Sequence, residues 1–550
     1  MIARLLLLAT LFSCLLPAQV HRVTHKDGNG DAVLNVTMNV VGGSEAGPGL
    51  GYAVVDIENL DSVERRCELQ FGSRDSSRSD VASRRVCIAP PGLSRVFVPI
   101  AIPPSSGLFR LNVDSQSSYQ RVDVGRGAGI VGLFVSDRSN QAAQGLQVIR
   151  RVTATQSGDP SEQVEIRPRD LPSDWRMLTS FSLVVVDGES GSGAGLSSDA
   201  QEALRRYAFA GGTVIVAAAD SMTAGPLRDV ARKGGDTPLA VGLGNVLSIP
   251  RLGGDLGTLS ARLEQLSTLD RGLWPAAPGM FEVQTVAGLG KAPVTVFVML
   301  ILLFAILVGP VNFMILRRRK KPLLALLTVP LAGFGTTFGI LAYGLFHDGL
   351  GARGVITTCT LLDQTSHEAV SLQARTLFAG VAPSDMTMNP GTLLLSLRAG
   401  LRNRDLPDRW IFDADAQQLD GGILPSRTLT PLFTCQQGSV RDRLTVRQSG
   451  DTLEVLPGGS VAPVGEWVLR DLDGEYWSGI GDSLQRVSSA DGRRQFASLR
   501  DRALEIQVAS TPMLVTTSLS ASLPSWGEPG TYICQVRSAA WIDDHGVSVD

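Results

Sequence analysis

Three aspartates stand where a carboxylate could do chemistry. Asp137 closes the apolar run Gly129–Ser136, Asp187 closes Leu183–Val186, and Asp220 closes Thr213–Ala219. Carboxylates grouped at strand ends could hold a hard divalent cation through oxygen, or move a proton. The spacing argues for less. Neither Asp137-Arg-Ser-Asn-Gln nor Asp187-Gly-Glu-Ser-Gly has the Asp-x-Ser-x-Ser pattern of a known carboxylate metal site. Gly191-Ser-Gly-Ala-Gly195 lacks the full Gly-x-Gly-x-x-Gly spacing of a dinucleotide loop and reads as a flexible loop. Each Asp is therefore expected to start a loop or cap a helix. No catalytic residue, metal site or cofactor is expected.

Nucleophilic catalysis by Cys or Ser needs a neighbouring base. The sequence has no His from 26 to 346 and no Cys from 88 to 358. His367-Glu368 and Asp543-Asp544-His545 have no second His in register and read as surface groups. Cys67 and Cys87 bracket two strands and a polar loop, Gly72–Asp80. In an oxidising compartment they could form a hairpin disulfide, the alternative being two buried thiols. Cys359, Cys435 and Cys534 are odd in number, and their connectivity is not readable.

The elements that position these groups follow from hydropathy. The runs ending in Asp137, Asp187 and Asp220 are continuous in Val and Ile, as in strands of a parallel sheet buried on both faces. Between the last two, Ser197 or Ser198 caps a helix that Gly211-Gly212 ends, which makes a βαβ unit within 126–255. Residues 20–125 alternate apolar and polar with Gly, Pro, Ser and Asp between runs, the pattern of a β-sandwich. Residues 347–550 read the same way, with almost no helical period. Residues 256–291 read as a helix and a connector.

The chain has 550 residues, net charge −3 and mean hydropathy +0.13. No basic surplus exists to bind nucleic acid. Residues 1–18 have the order of a secretory signal peptide: Arg4, an apolar core and small Ala18. Residues 292–316 and 322–346 are free of charge over 25 residues each, enough to cross about 30 Å of hydrocarbon. Between them stand Arg317, Arg318, Arg319, Lys320 and Lys321. Such a cluster in a short loop is expected to stay in the cytoplasm, with both large flanking regions outside. No Asp, Glu, Lys, Arg or His lies in either span, which argues against a proton relay.

The run from Phe181 to Asp220 continuing to Gly242–Pro250 resembles the class I glutamine amidotransferase-like domain of bacterial envelope proteins. Leu307–Gly333 resembles the membrane hairpin of the same proteins. The resemblance implies a multidomain, mixed architecture: an N-terminal β-sandwich, an open α/β amidotransferase-like domain, a two-helix transmembrane hairpin and a C-terminal β-sandwich region. It implies an inner-membrane location with most of the mass periplasmic. The Cys–His pair of true amidotransferases is missing, so the domain is expected to be non-catalytic. The expected role is a binding or assembly module with other envelope or membrane proteins as partners. Two alternatives stand beside it: a metal- or carboxylate-dependent hydrolase using Asp137, Asp187 and Asp220, and an accessory subunit of an export system.

Overall fold

The computed structural model describes residues 20–549 except 28, 42–49, 74–81, 102–105, 114–115, 124–130, 137–161, 182, 189–194, 235–237, 251–293, 319–321, 349–351, 384, 390, 397–408, 413–416, 421–423, 457–460, 462, 505–528 and 537–547. The expected signal peptide and the helix and connector at 256–291 lie outside the described residues.

The first strands are β1 (Val20–Lys26), β2 (Ala32–Val41), β3 (Leu50–Asn59), β4 (Arg65–Ser73), β5 (Ala82–Ala89), β6 (Gly92–Ala101), β7 (Ser106–Val113) and β8 (Gln116–Asp123). An antiparallel sheet in the order β1-β2-β3-β6 shares a core with β4, β5 and β7. Val36, Met38, Val55 and Ile57 meet Leu69, Phe71, Phe109 and Leu111 there. The alternation of β2 produces this half-buried face. β3 departs from it, because Leu50, Tyr52 and Val54 on its other side are buried against a second layer.

That layer is an α/β unit: β9 (Val131–Val135), β10 (Glu162–Ile166), β11 (Leu183–Asp187), α1 (Ser198–Phe209), β12 (Thr213–Ala217), α2 (Pro226–Gly234), β13 (Leu239–Val241) and β14 (Gly244–Ile249). Its sheet runs β10-β9-β11-β12-β14-β13, parallel except for the β13–β14 pair. Ser197 caps α1 by accepting from the Ala200 N–H, and Gly211, at φ +119°, turns the chain out of it.

An apolar helical stretch follows: α3 (Val294–Ile306), a π-helical turn (Leu307–Val311) containing Pro310, α4 (Asn312–Arg318) and α5 (Ala325–Asp348). Val298–Arg318 is long and apolar enough to cross a membrane, with mean hydropathy 2.6 and none of its window buried. Ala325–Ile340 is a shorter apolar helix. Thr328 donates to Asn312 Oδ1 at 3.1 Å, so the polar side chain of α4 is satisfied by α5.

The remaining strands are β15 (Ala352–Asp363), β16 (Glu368–Ala379), β17 (Asp385–Met388), β18 (Thr392–Ser396), β19 (Arg409–Phe412), β20 (Gln417–Asp420), β21 (Leu429–Ser439), β22 (Val446–Ser449), β23 (Thr452–Val455), β24 (Pro463–Arg470), β25 (Tyr476–Ile480), β26 (Ser483–Val487), β27 (Thr531–Val536) and β28 (Ser548–Val549). They do not form a separate C-terminal sandwich. One sheet, β18-β21-β16-β15-β28, packs against the α/β unit. β17, β20 and β19 instead extend the N-terminal sheet to β17-β20-β19-β5-β4-β7-β8, through a parallel pairing of Arg409–Phe412 with Ala82–Arg85. A third sheet, β22-β23-β26-β25-β24-β27, has its own core around Trp467. It is covered by α6 (Ser489–Leu504), a helix the strand-like composition of this region hid. Its signal was local: Ser488 accepts from the Asp491 N–H and donates to the Asp491 carboxylate.

The strand-rich layers are tied by side chains as well. Arg95 bridges Asp56 and Asp170 at 2.6 and 2.5 Å. The Leu50 N–H donates to Thr179 Oγ1. Arg205 on α1 binds Glu202 and, from the sheet that follows the apolar helices, Glu368. Burial pulls the Glu202 carboxyl upward, but hydrogen bonds from Arg205 and Arg206 more than offset this and leave its pKa below the ordinary value of 4.5. A depressed carboxyl contributes stability that is fully present above its unfolded pKa and lost as pH falls through the folded one. Amide exchange in α1 is therefore expected to accelerate as pH falls below about 4.5, after correction for the intrinsic rate. Glu202→Gln should flatten that dependence. An identical acid profile in the variant would refute the assignment.

Candidate functional site

In an open α/β sheet, ligands bind beyond the carboxyl ends of the strands where strand order reverses. Here the chain runs from β9 to β10 on one side, then returns to β11 on the other. The crevice must open between the ends of β9 and β11. Ser136 and Asp187 sit there, both buried, with Ser136 Oγ donating to Asp187 Oδ2 at 3.0 Å.

Among the described residues, what surrounds them leaves one small depression. Val135, Pro168, Val186, Gly188, Gly195, Leu196, Met222 and Thr223 line it with Asp187, and it has room for about one water. A Cβ on Gly188 would stand 2.6 Å from the carbonyl oxygens of Ala217 and Ala218, so the backbone itself fills the place. Gln201, fully buried on α1, holds the cover down. Its Nε2 donates to Thr223 O and Thr223 Oγ1 at 3.2 Å each and to Leu196 O at 3.5 Å, and its Oε1 accepts from the Arg228 N–H at 3.4 Å. Replacing Gln201 with Leu strands these groups and should cost about 2–3 kcal/mol, given about 1–3 kcal/mol per buried orphan. Denaturant titration of the full chain in detergent tests it, and a change under about 0.5 kcal/mol, the level of an uninvolved surface site, would show that Gln201 is not the tie.

The turn after β12 bends sharply from the strand into a 3-10 turn, Ala219–Ser221. Ala218 occupies it in the left-handed region, φ +51° and ψ +49°. A non-glycine residue held there costs about 1–2 kcal/mol. The strained bend is present, and the side chain at its tip is a methyl group.

The three aspartates separate. Asp187 turns inward onto Ser136. Asp220 is 82% exposed in its side chain and pairs with Arg232 at 2.8 Å. Asp137 lies outside the described residues. Among the described residues, no three His, Cys, Asp or Glu side chains are grouped to hold a metal ion. Arg317 and Arg318 end α4, while Arg319, Lys320 and Lys321 lie outside the described residues. Cys67 and Cys87 face each other across β4 and β5. Sequence reasoning missed Ser136 and Gln201. The signal for Gln201 was a polar residue on the apolar face of α1, in line with Leu204 and Ala208.

The fold defines a strand-rich protein of several sheets with one mostly parallel α/β layer. No family model matches the chain, and no curated protein matches it. Among solved structures, the β-glucuronidase of Parabacteroides merdae with glycerol in its active site is 7% identical, covering 85% of this chain and 73% of that one. The TM-score is 0.14, a superposition too poor to carry an argument.

Proposed function

We propose that the chain is a non-catalytic, membrane-anchored envelope protein whose large outer body serves as a binding or assembly module of a membrane complex. One observation carries the reading: strands from before and after the apolar helices share a sheet. β19 hydrogen-bonds to β5, and Glu368 binds Arg205. Two segments joined in one folded body lie on one side of a membrane, so the chain between them crosses it an even number of times. A hairpin of residues 292–316 and 322–346 around the basic loop satisfies this, and the loop's charge supports an outer position for the body.

The non-catalytic part is supported by the lack of His from 26 to 346 and by the methyl side chain of Ala218 at the strained turn after β12. The parallel sheet with its central βαβ unit is compatible with the amidotransferase-like domain that the sequence resembles. Crosslinking in intact cells, followed by purification in mild detergent, is expected to recover a membrane or envelope partner in fixed ratio. Repeated recovery of the lone polypeptide would overturn the assembly role.

A further inference from the structure

We propose that Cys67 and Cys87 form a disulfide that holds β5 in register to receive β19. The two residues are direct partners in the antiparallel β4–β5 ladder. Such partners point to one face with Cα atoms about 4.5–5.5 Å apart, within the roughly 4.4–6.8 Å that a disulfide spans. Cys67 is fully buried, and Cys87 packs on the rim of the same core, within hydrogen-bonding reach of it.

The other described cysteines make a telling contrast. Cys359 and Cys435 each face Leu372, from opposite sides of β16. They are two strand spacings apart, about 10 Å, beyond the ~7 Å limit for a bridge. Cys534 belongs to another sheet. Burial pushes the Cys359, Cys435 and Cys534 thiols up. Cys87 moves the other way, lowered first by the hydrogen bond with Cys67 and then by Arg85, against its burial. It is the thiol suited to react first.

The oxidant is a protein disulfide of the exporting compartment, and in this the inference rests on the export reading. The Cys87 thiolate attacks one donor sulfur, forming a mixed disulfide and releasing one donor thiolate. The Cys67 thiolate then attacks Cys87 Sγ and releases the second. Two protons pass from the cysteines to the donor, which leaves as a dithiol. β5 matters because its two edges have different histories. β4 is nearby in sequence, whereas β19 arrives only after both apolar helices have been made. A covalent link to β4 keeps the waiting edge in place.

The test uses the full chain in detergent. Incubation in oxidised glutathione, iodoacetamide quenching and peptide mapping should show Cys67 linked to Cys87, with alkylation lost at both. Two alkylated thiols after that incubation would overturn the disulfide. Reduction by dithiothreitol should then speed amide exchange in Ala82–Ala89 and Arg409–Phe412. Unchanged exchange would overturn the positioning role. Protein taken from acid-quenched cells reads the compartment separately: thiols there, with a link in glutathione, leave the site standing and count against export.

Discussion

On the proposed hairpin topology, deleting residues 322–346 alone is expected to abolish the folded body, whereas deleting 292–346 as a whole is expected to leave it intact and release it from the membrane. The reason is parity. With one crossing, β15 to β28 are stranded on the opposite side from β1 to β14. β19 then cannot reach β5, and the sheet containing β16 cannot cover α1. β16 is buried along nearly its whole length, so its exposure is a large loss and not a trimming of the edge. With no crossing, all strands again share a compartment. Limited proteolysis and amide exchange at β5 and β16 distinguish the two deletions. Full-strength protection in the single-span deletion would mean that the chain between the two segments is not a membrane hairpin.

Trp467→Ala is expected to cost about 3–5 kcal/mol, the range for removing a buried aromatic side chain, and to unfold β22 to β27 while the other sheets persist. Trp467 is fully buried among Leu444, Leu453, Leu469, Trp477 and Leu484, and its Nε1 donates to Gly481 O at 2.9 Å. Among the described residues, that core has few large side chains, with Tyr532 packed against it. The opposite face has Val468, Tyr476 and Phe496, where Gly492 gives α6 room against Tyr476. A unit this small has about 5–10 kcal/mol to lose, so one cavity takes a large share. The Gln364–Tyr532 hydrogen bond, 2.6 Å, links it to the tip of the β15–β16 hairpin without sharing its core. Amide exchange should rise in β24 to β27 and hold steady in β16. A uniform rise across both, or none, would contradict the separation.

Local structure was legible where side-chain period and capping agree. The Val-rich runs gave buried parallel strands, and the Ser197-Ser198 and Gly211-Gly212 pairs marked the ends of α1, the structure choosing Ser197 as the cap. The helix at 489–504 escaped because its surroundings are strand-like and its signal is a single capping serine. The candidate site was legible only in part. Asp187 could be placed at a strand end from its flanking valines. That it turns inward onto Ser136 while Asp220 turns out to Arg232 depends on side chains that no spacing rule brings together.

The sequence by itself determined the two apolar stretches, the basic run between them, the absence of a Cys–His pair in the α/β layer, and the alternation of most strands. These are set by single residue types and short periods, which act through hydration and local sterics. Only the tertiary structure decided which strands are neighbours. Hydrogen bonding between backbones is blind to side-chain identity, so nothing in Arg409–Phe412 names Ala82–Arg85 as its partner. Long-range pairing is chosen by how all the buried faces fit at once, and that choice joined strands from the two halves of the chain into one sheet.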